Sequence, residues 1–326
     1  MMVLNVAAGN LDKTGNMTNP EQTPESLQHV CPILGRVTKT FPTPFSSGPW
    51  QVVRCSETGF VFLANPPTYQ QLEVEHAWEV TSLAEKKRRR LEEPLVSKMS
   101  LLAAKLKQTL FPKRSRFFTL SMELADRTNR SEPIRVLDIG CGAGNLLEEM
   151  QQRFTEKGYS IIPQGIEVSA HLAAIANQRC EKFGGRVAFA NAVDGVSQFE
   201  KASVDLVIMS SFLEHECQPL VLLRKLHSVL ANAGIIVLKV PNFACINRRF
   251  RSKKWCGFRY PDHVSYFTPS TLRRLAQESG FQVSRQGILD CLPLSDTMYA
   301  VLAKDPKSFA SEPEQLISTP PLKDAA

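Results

Sequence analysis

Residues 135–147 read RVLDIGCGAGNLL. An apolar run ends in an acid, turns through three glycines and re-enters an apolar, helix-like pattern. This is a strand–loop–helix that brings backbone close to a ligand. The loop that seats a dinucleotide pyrophosphate on a helix N-terminus reads G-x-G-x-x-G. Here Gly140, Gly142 and Gly144 make G-x-G-x-G, and Asp138 stands two residues before the first glycine. A carboxylate there is poorly placed for a diphosphate and well placed for an ammonium or sulfonium group. That points away from redox chemistry.

Outward from this loop, strand and helix patterns alternate from Pro133 onward, the mark of a parallel sheet. Strands are predicted at 134–140, 161–167, 186–190, 204–210, 234–240, 281–289 and 297–303, with helices at 144–157, 169–183, 217–232 and 269–279. The last strands lie close together, so one is expected to run antiparallel. The fold class is therefore α/β: a Rossmann-like, doubly wound, mostly parallel seven-stranded sheet over residues 131–304. Ahead of it, short β-type runs broken by Pro and Gly predict a β-hairpin module at 28–69. A basic helical connector follows at 70–130, in which Met99, Leu102, Ala103, Leu106 and Leu110 recur at helical spacing. Residues 1–27 and 305–326 read as disordered.

With 43% apolar residues among 326, the chain can bury a substantial core. No apolar run of about 18 residues suggests a membrane span. The N-terminus lacks the basic and apolar regions of a signal peptide. Eight cysteines without a framework suit reduced thiols, so a cytoplasmic setting is expected. The net charge of +7 is generated by one segment: residues 85–116 hold eleven Lys/Arg against three Glu, leaving about −1 for the rest. Neither nucleic acid nor a membrane surface is required as a partner, although the basic connector leaves both open.

Further residues fall at strand ends that line the same crevice. Glu167 closes the second predicted strand, where an acid can accept both hydroxyls of a ribose. Asn191 and Asp194 follow the third, where polar groups can read an adenine edge. The fourth ends in VDLVIMSSFLEHE, containing Ser210, Glu214 and His215.

Together the runs VLDIGCGAGNLL, GIEVS, SSFLEH, ANAGIIVLKVPN and PDHVSYFTPSTLRRLAQESGF resemble the class I S-adenosylmethionine-dependent methyltransferases. The last two, joined by a Trp-containing basic loop, are similar to the branch that includes the ubiquinone O-methyltransferases and many small-molecule methyltransferases. The resemblance implies S-adenosyl-L-methionine as cofactor. It carries cofactor contact to Asp138, Gly140, Cys141, Gly142, Gly144, Glu167, Val168, Asn191, Asp194 and Ser210. Asp138 would face the methionine ammonium through water, the glycines would let backbone approach the cofactor, and Glu167 would hold the ribose. Cys141 reads equally as a small packing residue, and Asp194 as a solvated loop acid. NPPT at 65–68 imitates an amino-methyltransferase motif, but it precedes the sheet instead of following its fourth strand, so it reads as a hairpin exit.

The acceptor side is read from two histidines. His263, in YPDHVSYF, would be a general base or substrate contact, with a structural role as the even alternative. His215 is the second catalytic candidate, with a helix-start residue hydrogen-bonded to backbone as the structural alternative. In the ubiquinone-type enzymes a Glu three residues before the Glu-His pair completes a metal site. Here that position is Ser211, so no metal is expected. The loop NRRFRSKKWCGFRYPDH surrounds Phe250, Trp255 and Phe258 with Arg and Lys and reads as an anion-favouring lid, with packing of its aromatics as the alternative.

Proteins of this branch often begin with a zinc ribbon whose knuckles read C-P-x-C-G and C-x-x-C-G. Here Cys31 with Gly35 and Cys55 with Gly59 survive, but Leu34 and Thr58 replace the second cysteines. A metal-free ribbon-like module with free thiols is expected. The function expected is methyl transfer by in-line displacement to an oxygen or nitrogen of a small-molecule acceptor, an anionic one being favoured by the basic loop. An RNA methyltransferase and a non-catalytic binding protein are the rival readings.

Overall fold

In chain order the strands are β1 (Leu27–Cys31), β2 (Arg36–Pro42), β3 (Val52–Cys55), β4 (Val61–Leu63), β5 (Ile134–Ile139), β6 (Ile161–Glu167), β7 (Arg186–Phe189), β8 (Val204–Ser210), β9 (Leu230–Pro241), β10 (Ser265–Tyr266), β11 (Phe281–Arg285) and β12 (Thr297–Lys304). The helices are α1 (Arg116–Thr128), α2 (Asn145–Thr155), α3 (Ala170–Glu181), α4 (Ala192–Val196), α5 (Pro219–Val229), α6 (Ile246–Arg251), α7 (Pro269–Glu278) and α8 (Ile288–Cys291). This computed structural model describes residues 26–68, 71, 116–128 and 132–306. The expected connector helix around Met99 to Leu110 lies outside the described residues, as do 1–25 and 307–326 of the two tails, while Leu27, expected in the N-terminal tail, opens β1.

Seven strands form one sheet in the order β7-β6-β5-β8-β9-β12-β11. The run from β7 to β9 is parallel, while β12 pairs antiparallel with both β9 and β11. β5 lies centrally between β6 and β8, so the chain winds outward in both directions from it. The crevice beyond the carboxyl ends of these strands is the binding position of such a sheet. β5 is buried at five of its six positions, as a strand covered by helices on both faces must be. α2 covers one face through Leu147, Met150 and Phe154. α7 starts on a capping box between Thr268 and Thr271 with Pro269 in its first turn, so its origin is written locally.

The predicted strands are found with small shifts, and two readings need correction. The run predicted as one strand over 281–289 ends at Arg285 and turns into α8. β9 begins four residues early, at Leu230, so the preceding helix ends at Val229, three residues short of its expected end at 232.

The N-terminal hairpins form a second sheet, β1-β2-β3-β4-β10. Its last strand comes from far along the chain: Ser265 pairs with Phe62 and Tyr266 with Val61. The apolar interior is shared as well. Cys31, Ile33, Phe60 and Phe62 lie in one buried cluster with Leu137, Ile139 and Phe267, and the rings of Phe60 and Phe267 are 5.0 Å apart. Asn65 accepts from Gln51 N at 2.9 Å and donates to Pro49 O at 2.8 Å, so NPPT does close a hairpin.

Candidate functional site

The loop between β5 and α2 uses its three glycines differently, although all have left-handed backbones (φ +69°, +55° and +79°). At Gly140 a Cβ would stand 2.5 Å from the ring of Phe212, and at Gly144 it would press on Ala176 of α3 at 3.2 Å. Only Gly142 looks into open space. Gly142 thus leaves room for close backbone approach, while at Gly140 and Gly144 protein packs where a side chain would stand.

Two carboxylates stand behind the loop. Asp138 is buried, and its Oδ1 has no hydrogen-bond partner among the described residues. Burial, then the neighbouring charge of Glu167, pushes its pKa up to about 8. An unsatisfied buried carboxylate beside an open loop fits the expected ammonium group, which would restore its ionised form. Glu167 accepts from Gly142 N at 2.8 Å and from Ser169 N at 2.9 Å. It therefore anchors the glycine loop to the end of β6, a structural duty that the sequence pattern does not reveal.

The remaining expected contacts divide. Asn191 caps α4 by accepting from Asp194 N at 3.0 Å, and its amide donates to the Asp194 carboxylate at 2.7 Å. The pair is one locked unit at the end of β7. Val168 is half-buried directly after β6, and Ser210 ends β8. Cys141 is buried, with its Sγ 2.6 Å from where a Cβ on Gly165 would lie. Burial drives its thiol pKa upward, so it packs the loop onto β6 as an inert side chain.

Across the crevice, β8 leads into a tight segment. Ser211 has a left-handed backbone (φ +57°), rare for a residue with a side chain, and Phe212 follows with its ring against Gly140. A short 3-10 turn then presents Glu214 and His215. His215 Nδ1 donates to Asp262 O at 2.9 Å and His263 Nδ1 donates to Gly257 O at 2.8 Å. The two rings meet edge to face at 4.7 Å. Burial, helped by the Arg259 charge, lowers the His215 pKa to about 4, so this imidazole is neutral at neutral pH. Burial raises the Glu214 pKa to about 8 against the opposing pull of Lys239 and Arg259. The structure thus unites His215 and His263, 48 positions apart, and adds Glu214 to them. Phe212 and Lys239 carry no sequence signal of their own.

The basic loop corrects one expectation. Trp255 and Phe258 are buried, packed with Phe243 and Tyr266, and Trp255 Nε1 donates to Asp296 at 2.9 Å. Arg248 donates to Phe243 O at 2.9 Å, Lys253 to Ser46 O at 3.0 Å and Arg259 to Asp262 at 3.0 Å. Lys253 and the Phe258 ring, stacked on Phe45 at 4.8 Å, fasten the loop to the N-terminal module, while Arg248 and Arg259 bond close to the loop itself; Phe250 is left as the exposed aromatic of the three. At the degenerate knuckles, Cys31 and Cys55 are buried free thiols, and Thr58 Oγ1 lies 3.7 Å from Cys31 Sγ. The knuckle positions still converge, with two thiols where a structural zinc site needs four ligands.

A family model described as a methyltransferase domain matches residues 102–286. The ubiquinone biosynthesis O-methyltransferase of Rhodopseudomonas palustris is 29% identical over 178 residues, covering 50% of this chain and 64% of that protein. The enzyme of the same name from Nitrosospira multiformis is 26% identical over 176 residues, covering 50% of this chain and 69% of that one. This chain thus spans about two thirds of the length of these curated relatives. Among solved structures, a SAM-dependent methyltransferase from Archaeoglobus fulgidus has a TM-score of 0.43 at 18% identity, covering 62% of this chain and 99% of that one. One from Clostridium acetobutylicum has a TM-score of 0.46 at 10% identity, covering 63% and 98%.

Proposed function

The chain belongs to the S-adenosylmethionine-dependent methyltransferase family, and from that premise we propose that it methylates an oxygen or nitrogen of a small-molecule acceptor. The observation that carries the reading is the buried, unsatisfied Asp138 carboxylate beside the open face of Gly142, with two imidazoles across the crevice. The names of the curated relatives favour oxygen as the accepting atom.

Each residue has a physical task. Asp138, ionised, would accept from the ammonium of the donor. Gly142 leaves room for backbone approach, and Glu167 holds that backbone in place. When bound, S-adenosylmethionine supplies an electrophilic sulfonium methyl group. The protein then has to exclude water, align the acceptor in line and withdraw a proton from a hydroxyl. The lone pair of His215, neutral at neutral pH, is suited to that withdrawal, and His263 is the alternative base. Arg249 and Lys254 on the rim of the basic loop would favour an anionic acceptor. The RNA reading loses support, because burial of Trp255 and Phe258 removes two of the stacking surfaces it needs.

A radiolabelled-methyl transfer assay against cell extract fractionated into small molecules, RNA and protein tests this reading. Label is expected in the small-molecule fraction. Label in RNA would replace the acceptor class. Calorimetric binding of S-adenosylhomocysteine with no transfer to any fraction would favour the non-catalytic alternative.

A further inference from the structure

Ligand-capable atoms of Glu214, His215 and His263 lie within 4.8 Å of one another. They come from two segments, the turn after β8 and the approach to β10, joined by the bond from Val264 N to Glu214 O at 2.9 Å. Each imidazole donates its Nδ1–H to a backbone carbonyl, His215 to Asp262 and His263 to Gly257. That bond fixes the tautomer and places the ring lone pair on Nε2, as metal-binding histidines require. Glu214 is buried, and its Oε2 has no hydrogen-bond partner among the described residues. Lys239 feels its charge, yet no ion pair joins the two among those residues.

We propose that Glu214, His215 and His263 bind a divalent transition-metal ion, with two imidazoles and one carboxylate as protein ligands. Ser211 cannot supply the carboxylate that the ubiquinone-type pattern places there, and His263 brings a third ligand from a different segment. The exchange alters which ion is preferred. Imidazole nitrogen favours zinc, cobalt, nickel or iron(II), whereas carboxylate and water oxygens suit magnesium. Three protein ligands leave coordination open to an acceptor oxygen; with both imidazole lone pairs on the ion, its acidifying effect on that oxygen would take the place of direct proton withdrawal by a histidine. Arg259, the other cation beside the cluster, is already paired with Asp262 at 3.0 Å. This deepens the methyltransferase reading and rests on it for the ion's role, but metal binding is measurable without methyl transfer.

The test is titration of full-length, chelator-stripped protein with Co2+, Zn2+ and Mg2+ by calorimetry, following Co2+ by its visible absorption. One equivalent of Co2+ or Zn2+ is expected, with Mg2+ weaker by at least about tenfold. Glu214→Gln and His263→Ala should each weaken Co2+ by about 100-fold or more, while circular dichroism and S-adenosylhomocysteine binding report that the fold is kept. The double variant Cys31→Ser, Cys55→Ser should retain the site. Absence of saturable Co2+ binding, a preference for Mg2+, or loss of the site in the cysteine variant would overturn the proposal. Should a ligand variant not fold, the wild-type Co2+ complex decides by NMR. Two paramagnetically shifted imidazole N–H signals are expected, one from each Nδ1–H; one or none would refute it. Co2+ binding without any S-adenosylhomocysteine binding would instead count against the methyltransferase reading alone.

Discussion

The ring of Phe212 occupies the side-chain position of residue 140: an alanine Cβ there would lie 2.5 Å from it. The glycine loop and the turn that carries Glu214 and His215 are therefore in direct register. Gly140→Ala should displace Phe212 and, with it, the histidine wall. Left-handed strain and overpacking together should lower stability by about 2–4 kcal/mol. Gly142→Ala meets open space and carries the strain alone, about 1–2 kcal/mol. Denaturant unfolding of both variants checks the order. Equal losses would mean that Phe212 yields freely.

Stability of the unliganded chain should depend on pH in a specific direction. Asp138 and Glu214 titrate near 8 when folded, against about 4 when unfolded. Between these values the folded state holds more protons, so their contribution falls as pH rises from about 4 to 8. His215, near 4 when folded against about 6.5 unfolded, acts oppositely: its contribution is complete above 6.5 and is lost as pH falls toward 4. Stability measured from pH 6.5 to 8 should thus decline, and Asp138→Asn should remove part of the slope. A slope that this variant leaves intact would show that Asp138 is ionised throughout.

Cofactor binding should be linked to the same proton. An ammonium group calls for an ionised Asp138, so binding of S-adenosylhomocysteine at pH 7 should release a proton. Calorimetry in two buffers of different ionisation enthalpy measures this directly. Identical heats in both buffers would remove Asp138 from the ammonium contact.

Glu167→Gln should weaken S-adenosylhomocysteine binding by about 1.5–3 kcal/mol, the range for losing charge-assisted hydrogen bonds. Glu167→Ala should in addition lower the melting temperature, because Gly142 N and Ser169 N lose their acceptor. If the two variants melt alike, the loop does not depend on that anchor.

Phe60→Ala probes the union of the two sheets. Phe60 is fully buried against Phe267, and large aromatic truncations of this kind cost about 3–5 kcal/mol. The whole chain should still unfold in one transition, seen alike by circular dichroism and tryptophan fluorescence. Two separated transitions would show that the N-terminal module folds by itself.

The centre of the methyltransferase sheet was legible because β5, β8 and β9 carry buried apolar runs that end in chemically marked loops. β10 was not legible: two residues, Ser265 and Tyr266, have no periodicity, and their partners Phe62 and Val61 lie some 200 positions away. Trp255 and Phe258 show why spacing cannot separate a stacking surface from a core, since aromatics among basic residues serve either. Ser211 stands where the ubiquinone-type pattern has a Glu. It could not signal that His263 sits beside His215, because proximity across segments leaves no trace in a single chain. Glu167 lies where an acid was expected, yet its hold on Gly142 N depends on backbone geometry.

The pairing of β4 with β10 has a consequence for biosynthesis. β4 emerges from the ribosome about 200 residues before its partner strand, a delay of roughly 10–40 s at 5–20 residues per second. Throughout that interval Val61 and Phe62 form an open sheet edge without the strand that later covers it. The shortness of β4, three residues, limits what that edge can pair with until residue 266 is made.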